Sequence, residues 1–154
     1  MDCTGIAVIF WASVWEQMKY SLKSRMIELE VLPAYRNCGL SVIAYSPLAS
    51  GLLGGAMEGQ RAQGSVRKSV EYCRPQLARY ESLCRELGQE PANVALAWTL
   101  LVPALTGPII GPATLDQLTD CIRCLDLALD EIWSSPGDGP PRHTLGEGVQ
   151  SSEE

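Results

Sequence analysis

Residues 41–55 read SVIAYSPLASGLLGG, an apolar run that ends in a ring, a hydroxyl and closely spaced glycines. Tyr45 offers a flat surface for stacking and Ser46 a hydrogen-bonding group. Gly51, Gly54 and Gly55 leave backbone amides that a ligand can approach. A second stretch, TGPIIGPATLDQL (residues 106–118), ends an apolar run in Gly111-Pro112 and opens a helical pattern at Thr114. Amides at a helix start, together with the helix dipole, favour a phosphate or another anion. The pair of stretches suggests a phosphorylated ligand, set against the plainer reading of two surface connections.

The other reactive residue types do not assemble into a centre. The single histidine, His143, lies in a polar segment that offers no stable catalytic geometry. There is no Gly-x-Ser-x-Gly, no Gly-x-Gly-x-x-Gly and no phosphate-cradling Gly-x-x-x-x-Gly-Lys. Glu28 and Glu30 stand two apart on an expected helix, face different directions and are expected to be solvated. Cys121 and Cys124 have Cys-x-x-Cys spacing but fall midway through an expected helix. A redox pair sits at a helix start, where the dipole lowers a thiol pKa. No second cysteine or histidine pair completes a zinc set. Packing is the expected role of both cysteines; neither a catalytic nor a metal-ligating residue is identified.

These stretches need elements to hold them. Residues 6–15, IAVIFWASVW, read as a buried strand ending at Glu16-Gln17. Residues 24–38 read as a helix with Pro33 as a blemish and Gly39 as its C-terminal cap. SVIAYS follows as a second strand, and Gly54 to Gly64 as a loop. Residues 75–87 place Leu77, Tyr80, Cys84 and Leu87 on one helical face, between Pro75 and Gly88. ANVALAWTLL is apolar on most sides, as a buried helix is. TGPIIG (106–111) is a third strand, and residues 114–129 a helix in which Thr114 and Gln117 have capping-box spacing. The segment from Ser134 onward is a Pro/Gly/Ser-rich tail expected to be disordered. Apolar strands alternating with helices make an α/β fold with a parallel sheet.

Composition narrows the class. The 154 residues are 46% hydrophobic and 19% charged, which suits a globular domain with a core. Twelve basic against eighteen acidic residues give a formal charge of −6. That argues against nucleic acid and anionic membrane surfaces as partners. The start, MDCTG, lacks a cationic leader, and the apolar run Ile6 to Val14 is too short to span a bilayer. With six scattered cysteines, the expectation is a cytoplasmic protein with reduced thiols.

Three runs together carry a family resemblance: IELEVLPAYRNCGLSVIAYSPLASGLLGG, LCRELGQEPANVALAW and GPIIGPATLDQL. In order and spacing they resemble the aldo-keto reductases, in the bacterial branch related to the potassium-channel beta subunits. The resemblance spans roughly residues 13–133, leaving 1–12 as a divergent segment and 134–154 as the tail. Members are (β/α)8 barrels that bind NADPH in an extended pose. The resemblance implies a partial TIM barrel: the last three βα units, strands six to eight, plus a C-terminal helix.

It also implies a cofactor site, NADP(H), residue by residue. Gln17 matches the glutamine that bonds the nicotinamide carboxamide, and Tyr45 the aromatic that stacks on the ring. Ser46, Pro47, Leu48 and Gly51 match the loop along the pyrophosphate. Arg61 matches a basic residue of the loop folded over the cofactor. Gly111, Thr114, Gln117 and Asp120 match contacts to the adenosine end. Two departures stand out: Ala113 where Arg or Ser often meets the 2′-phosphate, and Cys121 where asparagine is expected near the adenine. The family's Asp, Tyr, Lys and His tetrad lies on strands one to four, and nothing in this sequence substitutes for it.

The expectation is therefore an oxidoreductase by family, the truncated cofactor half of a carbonyl-reducing enzyme, inactive alone. A small-molecule carbonyl would be the substrate once the missing half is supplied. The alternative is a non-catalytic nucleotide-binding or protein-interaction module. Either way, unpaired edges of a partial barrel would favour self-association.

Overall fold

The computed structural model describes residues 15–57 and 65–129. The apolar run 6–14, Arg61 and the tail with His143 lie outside the described residues. Strand β1 (Trp15–Lys19) pairs in parallel with β2 (Ser41–Tyr45), which pairs in parallel with β3 (Leu105–Pro108). The sheet order is β1-β2-β3, with helices in the crossovers, as a βαβ repeat requires. These helices are α1 (Val31–Asn37), α2 (Ser65–Tyr72), α3 (Arg74–Glu86) and α4 (Pro91–Leu100), with α5 (Leu115–Ile122) following β3.

Register sorts the sheet into two faces. Trp15 pairs with Ser41, Gln17 with Ile43 and Lys19 with Tyr45, so these six residues share one face. The opposite face carries Val42 and Ala44, both fully buried beneath the helices. A register shift between Val42 and Ile43 places Gly107, rather than Thr106, beside Ile43. The first face therefore meets a residue without a side chain at its third strand.

Helix α4 is buried continuously from Asn93 to Thr99, against β3, α3 and α5. Its sequence has no polar side to turn outward, and Pro91 starts it where a missing N–H costs nothing. Burying Val94 and Leu96 contributes roughly 1.5 to 3 kcal/mol each. The Thr99 hydroxyl donates to the Ala95 carbonyl at 2.9 Å, which satisfies it inside the core. Helix α3 buries Leu77, Tyr80, Glu81 and Cys84 on one face. Gly88 follows at φ +65°, the left-handed conformation that ends a helix most easily in glycine.

Several boundaries differ from expectation. The first strand runs on to Lys19, past its expected end at Glu16-Gln17, because the alternating WEQMK pairs with β2; the rest of the expected strand, 6–14, lies outside the described residues. The expected helix over 24–38 is two pieces, a 3-10 turn (Met26–Glu28) and α1. Pro33 explains the break: its ring clashes with the carbonyl four residues back, so the helix restarts with proline in its first turn. Gly39 caps α1 at φ +67°, as expected. The third strand is Leu105–Pro108, shorter than 106–111 and shifted back by one. The last helix stops at Ile122 and continues as a 3-10 turn, Arg123–Asp126. Helix α2 is an addition to the expected elements; its sequence signal is Val66 and Val70, four apart.

Candidate functional site at the carboxyl ends of the strands

The parallel sheet brings three strand ends to one edge. Tyr20, just past β1, donates its N–H to the Tyr45 carbonyl at 3.3 Å. Ile109, just past β3, donates to the Ala44 carbonyl at 2.7 Å. Ligands of parallel α/β proteins bind at this edge, where loops and helix starts converge. Here it joins Gln17 and Tyr45, on one sheet face, to the loop after β2 and the segment from Gly111 to Thr114.

Tyr45, the last residue of β2, is 41% exposed although its strand is central. Gln17 is exposed on the same face, one residue pair back along the strands from the Lys19–Tyr45 pair by alternation. Gly111 is also exposed, and a Cβ built there or at Gly107 would meet nothing within 4 Å. Its φ is not positive, so neither packing nor backbone geometry within the described residues requires glycine at 111.

The loop after β2 is strained. Ser46, Ala49 and Ser50 have φ of 54°, 49° and 60°, and Gly51 and Gly55 have 89° and 85°. For non-glycine residues this left-handed region costs on the order of 1 kcal/mol each, and such outliers gather at functional sites. Short bonds coil the loop: Ala49 N–H to Ser46 O at 2.9 Å, Gly51 N–H to Leu48 O at 3.0 Å, and Leu53 N–H to Leu48 O at 3.1 Å. Pro47 is buried and Leu48 packs on the core, so both shape the loop rather than present groups to a ligand. Ser46 and Gly51 remain at the surface.

Helix α5 opens with the expected capping box, slightly displaced. Thr114 Oγ1 accepts from the Gln117 N–H at 3.2 Å, and Gln117 Oε1 accepts from the Ala113 N–H at 2.7 Å. Asp120 is an exposed ion-pair partner of Arg123, at 2.9 Å. Cys121 and Cys124 are unpaired thiols at the end of this helix. Burial raises both pKa values, the reverse of an activated redox pair. Among the described residues no group of histidine, cysteine or carboxylate side chains could hold a metal.

One cluster escaped the sequence reading. Glu28, expected to be solvated, accepts from the Tyr20 hydroxyl at 2.5 Å and from Arg25 Nε and Nη2 at 2.7 and 3.0 Å. The Arg25 guanidinium lies over the Trp98 ring at 5.1 Å, and Tyr20 stacks on Trp98 at 5.4 Å. Burial, then the bond to Glu28, raises the Tyr20 phenol far above its ordinary range, so it stays protonated and keeps donating this hydrogen bond. The sequence held a signal: Arg25 and Glu28 stand three apart, one helical turn. Glu30 does stay exposed, at the start of α1.

Residues 10–132 match the sequence profile of the aldo/keto reductase family. The chain belongs to that family. Among its relatives is an uncharacterised oxidoreductase, YrpG, of Bacillus subtilis (strain 168), 46% identical over 143 residues, or 86% of this chain and 44% of that protein. Protein tas of Escherichia coli (strain K12) is 32% identical over 75% of this chain and 36% of its own length. The NADH-specific methylglyoxal reductase of the same bacterium is 28% identical over 75% of this chain and 38% of its own. This aldo/keto reductase chain thus spans less than half the length of the curated relatives it matches. The family is one of oxidoreductases that use nicotinamide nucleotides, and the small parallel sheet with its flanking helices accords with part of an aldo/keto reductase barrel. No helix among the described residues is long and apolar enough to cross a membrane.

Proposed function

We propose that this chain supplies the nicotinamide-nucleotide side of an aldo/keto reductase site, corresponding to the last three βα units of the barrel. The observation that carries the reading is the face shared by Gln17 and Tyr45, continuous with the strained loop Ser46–Gly51. Gln17 has an amide group that can bond the nicotinamide carboxamide, and the exposed Tyr45 ring can stack on the nicotinamide. Open space at Gly107 and Gly111 suits a ligand lying across the strand ends. The Thr114 and Gln117 capping bonds use acceptor oxygens, so the hydroxyl hydrogen and the amide hydrogens can still be donated to the adenosine end. NADP(H) is the proposed class, a hydride donor when bound; Ala113 leaves no side-chain donor for a 2′-phosphate at that position.

The same reading assigns this chain no proton donor for carbonyl reduction. A small carbonyl compound would be the substrate only with the Asp, Tyr, Lys and His units supplied from elsewhere. Among the described residues β1 and β3 each pair on one side only, which supports either completion of the barrel or self-association. Five described cysteines outside any disulfide suit the cytoplasm.

The test is fluorescence titration of the purified chain with NADPH and NADH, beside an aldehyde-reduction assay. The expected result is binding in the micromolar range without aldehyde-dependent oxidation. Tyr45→Ala should weaken binding about tenfold, the scale of one lost stacking contact. Absence of binding below millimolar concentration refutes the site, and turnover by the chain alone refutes the assignment of the proton donor elsewhere.

A further inference from the structure

The strained loop needs something to hold it, and one hold comes from helix α3. Five positive φ values between Ser46 and Gly55 persist only where surrounding contacts over-determine the backbone. Pro47, Leu52, Leu53 and Ala56 anchor the loop by burial. Its far end is held differently. The Met57 N–H donates to Glu81 Oε1 at 2.9 Å, across 24 residues of sequence. Glu81 is only 5% exposed and sits between Tyr80 and Cys84, both buried, on the inward face of α3.

The same junction touches the loop a second time. The Tyr80 hydroxyl donates to the Pro91 carbonyl, which ties α3 to the start of α4. A Cβ at Gly55 would come within 3.9 Å of Pro91 Cγ, so the loop backbone passes beside the Pro91 ring. Burying a carboxylate is costly unless it makes strong bonds, and an amide bond to an ionised oxygen is stronger than one to a neutral acceptor.

We propose that Glu81 is a positioning residue for the ligand-facing loop, fixing Met57 so that Ser46 to Gly51 keep their strained, ligand-ready shape. This rests on the reading above that the loop meets the nucleotide. Glu81 meets the loop at Met57, six residues past Gly51. Its contribution is to reduce the ordering that binding would otherwise require.

Two substitutions and two readouts test it. Glu81→Gln keeps an acceptor but loses the charge; Glu81→Ala loses both. Amide hydrogen exchange across residues 46–57 reads the loop, and NADPH fluorescence titration reads the site. The Ala variant should lose about tenfold of exchange protection at Met57 and bind NADPH about five- to tenfold more weakly, with Gln between it and the parent. Buried helix α4 should keep its protection in the Gln variant, which separates loop release from global unfolding. Unchanged exchange at Met57 in Glu81→Gln and Glu81→Ala overturns the proposal. A loop that loosens while NADPH affinity stays unchanged also overturns it. If the parent chain binds no NADPH, the functional reading fails, and exchange at residues 46–57 still decides whether Glu81 holds the loop.

Discussion

Replacing Glu28 by alanine tests the cluster that joins the end of β1 to the helices. The carboxylate accepts three bonds, one from Tyr20 and two from Arg25. Removing it strands the Tyr20 hydroxyl, which belongs to a residue with 0% exposure. An unsatisfied buried donor costs about 1 to 3 kcal/mol. The ion pair adds less, because its side chains are 20% and 18% exposed and the partners sit one turn apart. Screening holds that part to about 0.5 to 1 kcal/mol. The expected loss is therefore about 1.5 to 4 kcal/mol, a large share of a small domain's stability. Glu28→Gln keeps an acceptor for Tyr20 and should lose about half as much. Urea unfolding followed by far-ultraviolet circular dichroism measures both variants. Tyr20→Phe, alone and with Glu28→Ala, closes a double-mutant cycle with an expected coupling of about 1 to 2 kcal/mol. A Glu28→Ala loss below about 0.5 kcal/mol, the size for an exposed pair, would refute the buried cluster.

Further predictions use two site glycines and one core thiol. Gly51→Ala should cost about 1 kcal/mol through its φ of 89° alone, since its Cβ meets nothing within 4 Å. Gly111→Ala, without that strain, should change stability by less than about 0.5 kcal/mol yet weaken NADPH binding; unchanged affinity would count against a ligand over Gly111. Burial pushes the Cys84 thiol from 9.0 up to about 11. The unfolded chain therefore loses this proton first as pH rises, so Cys84 contributes stability below pH 9 that declines between pH 9 and about 11. Cys84→Ala should flatten that part of the stability profile. Iodoacetamide at pH 8 should spare Cys84 in the folded chain and modify it in urea, as mass spectrometry of the peptides will read.

Much of the fold was legible because its signals are local. Pro75 and Gly88 bracket α3, Gly39 ends α1, and Thr114 with Gln117 starts α5. Each of these residues limits its own backbone or satisfies a nearby amide, so neighbours in sequence suffice to read it. The end of the first strand and the limits of the third were misread because a strand's limits depend on which partner it pairs with. WEQMK is polar enough to pass for a connection until β2 aligns beside it. The break at Glu30 was missed because Pro33 is tolerated in a first turn and excluded from an interior, and sequence alone leaves that choice open.

The site divides along the same line. Residue types and spacing alone identified Tyr45, Ser46, Gly51 and the segment from Gly111 to Thr114 as candidate ligand edges, and the family resemblance added Gln17, Gln117 and Asp120. Which of them share a face is a matter of parallel register, a relation between segments more than twenty residues apart. The pairing of Gln17 with Ile43 and of Lys19 with Tyr45 decided that. Likewise, no spacing rule links Glu81 to Met57, or Tyr20 to Trp98. A carboxylate becomes solvated or buried according to what packs over it, and that depends on the whole chain. The sequence by itself determined the three strands, most of the helices, several of their caps and the family. The tertiary structure decided which strand residues face the same way, and which charged groups lie inside.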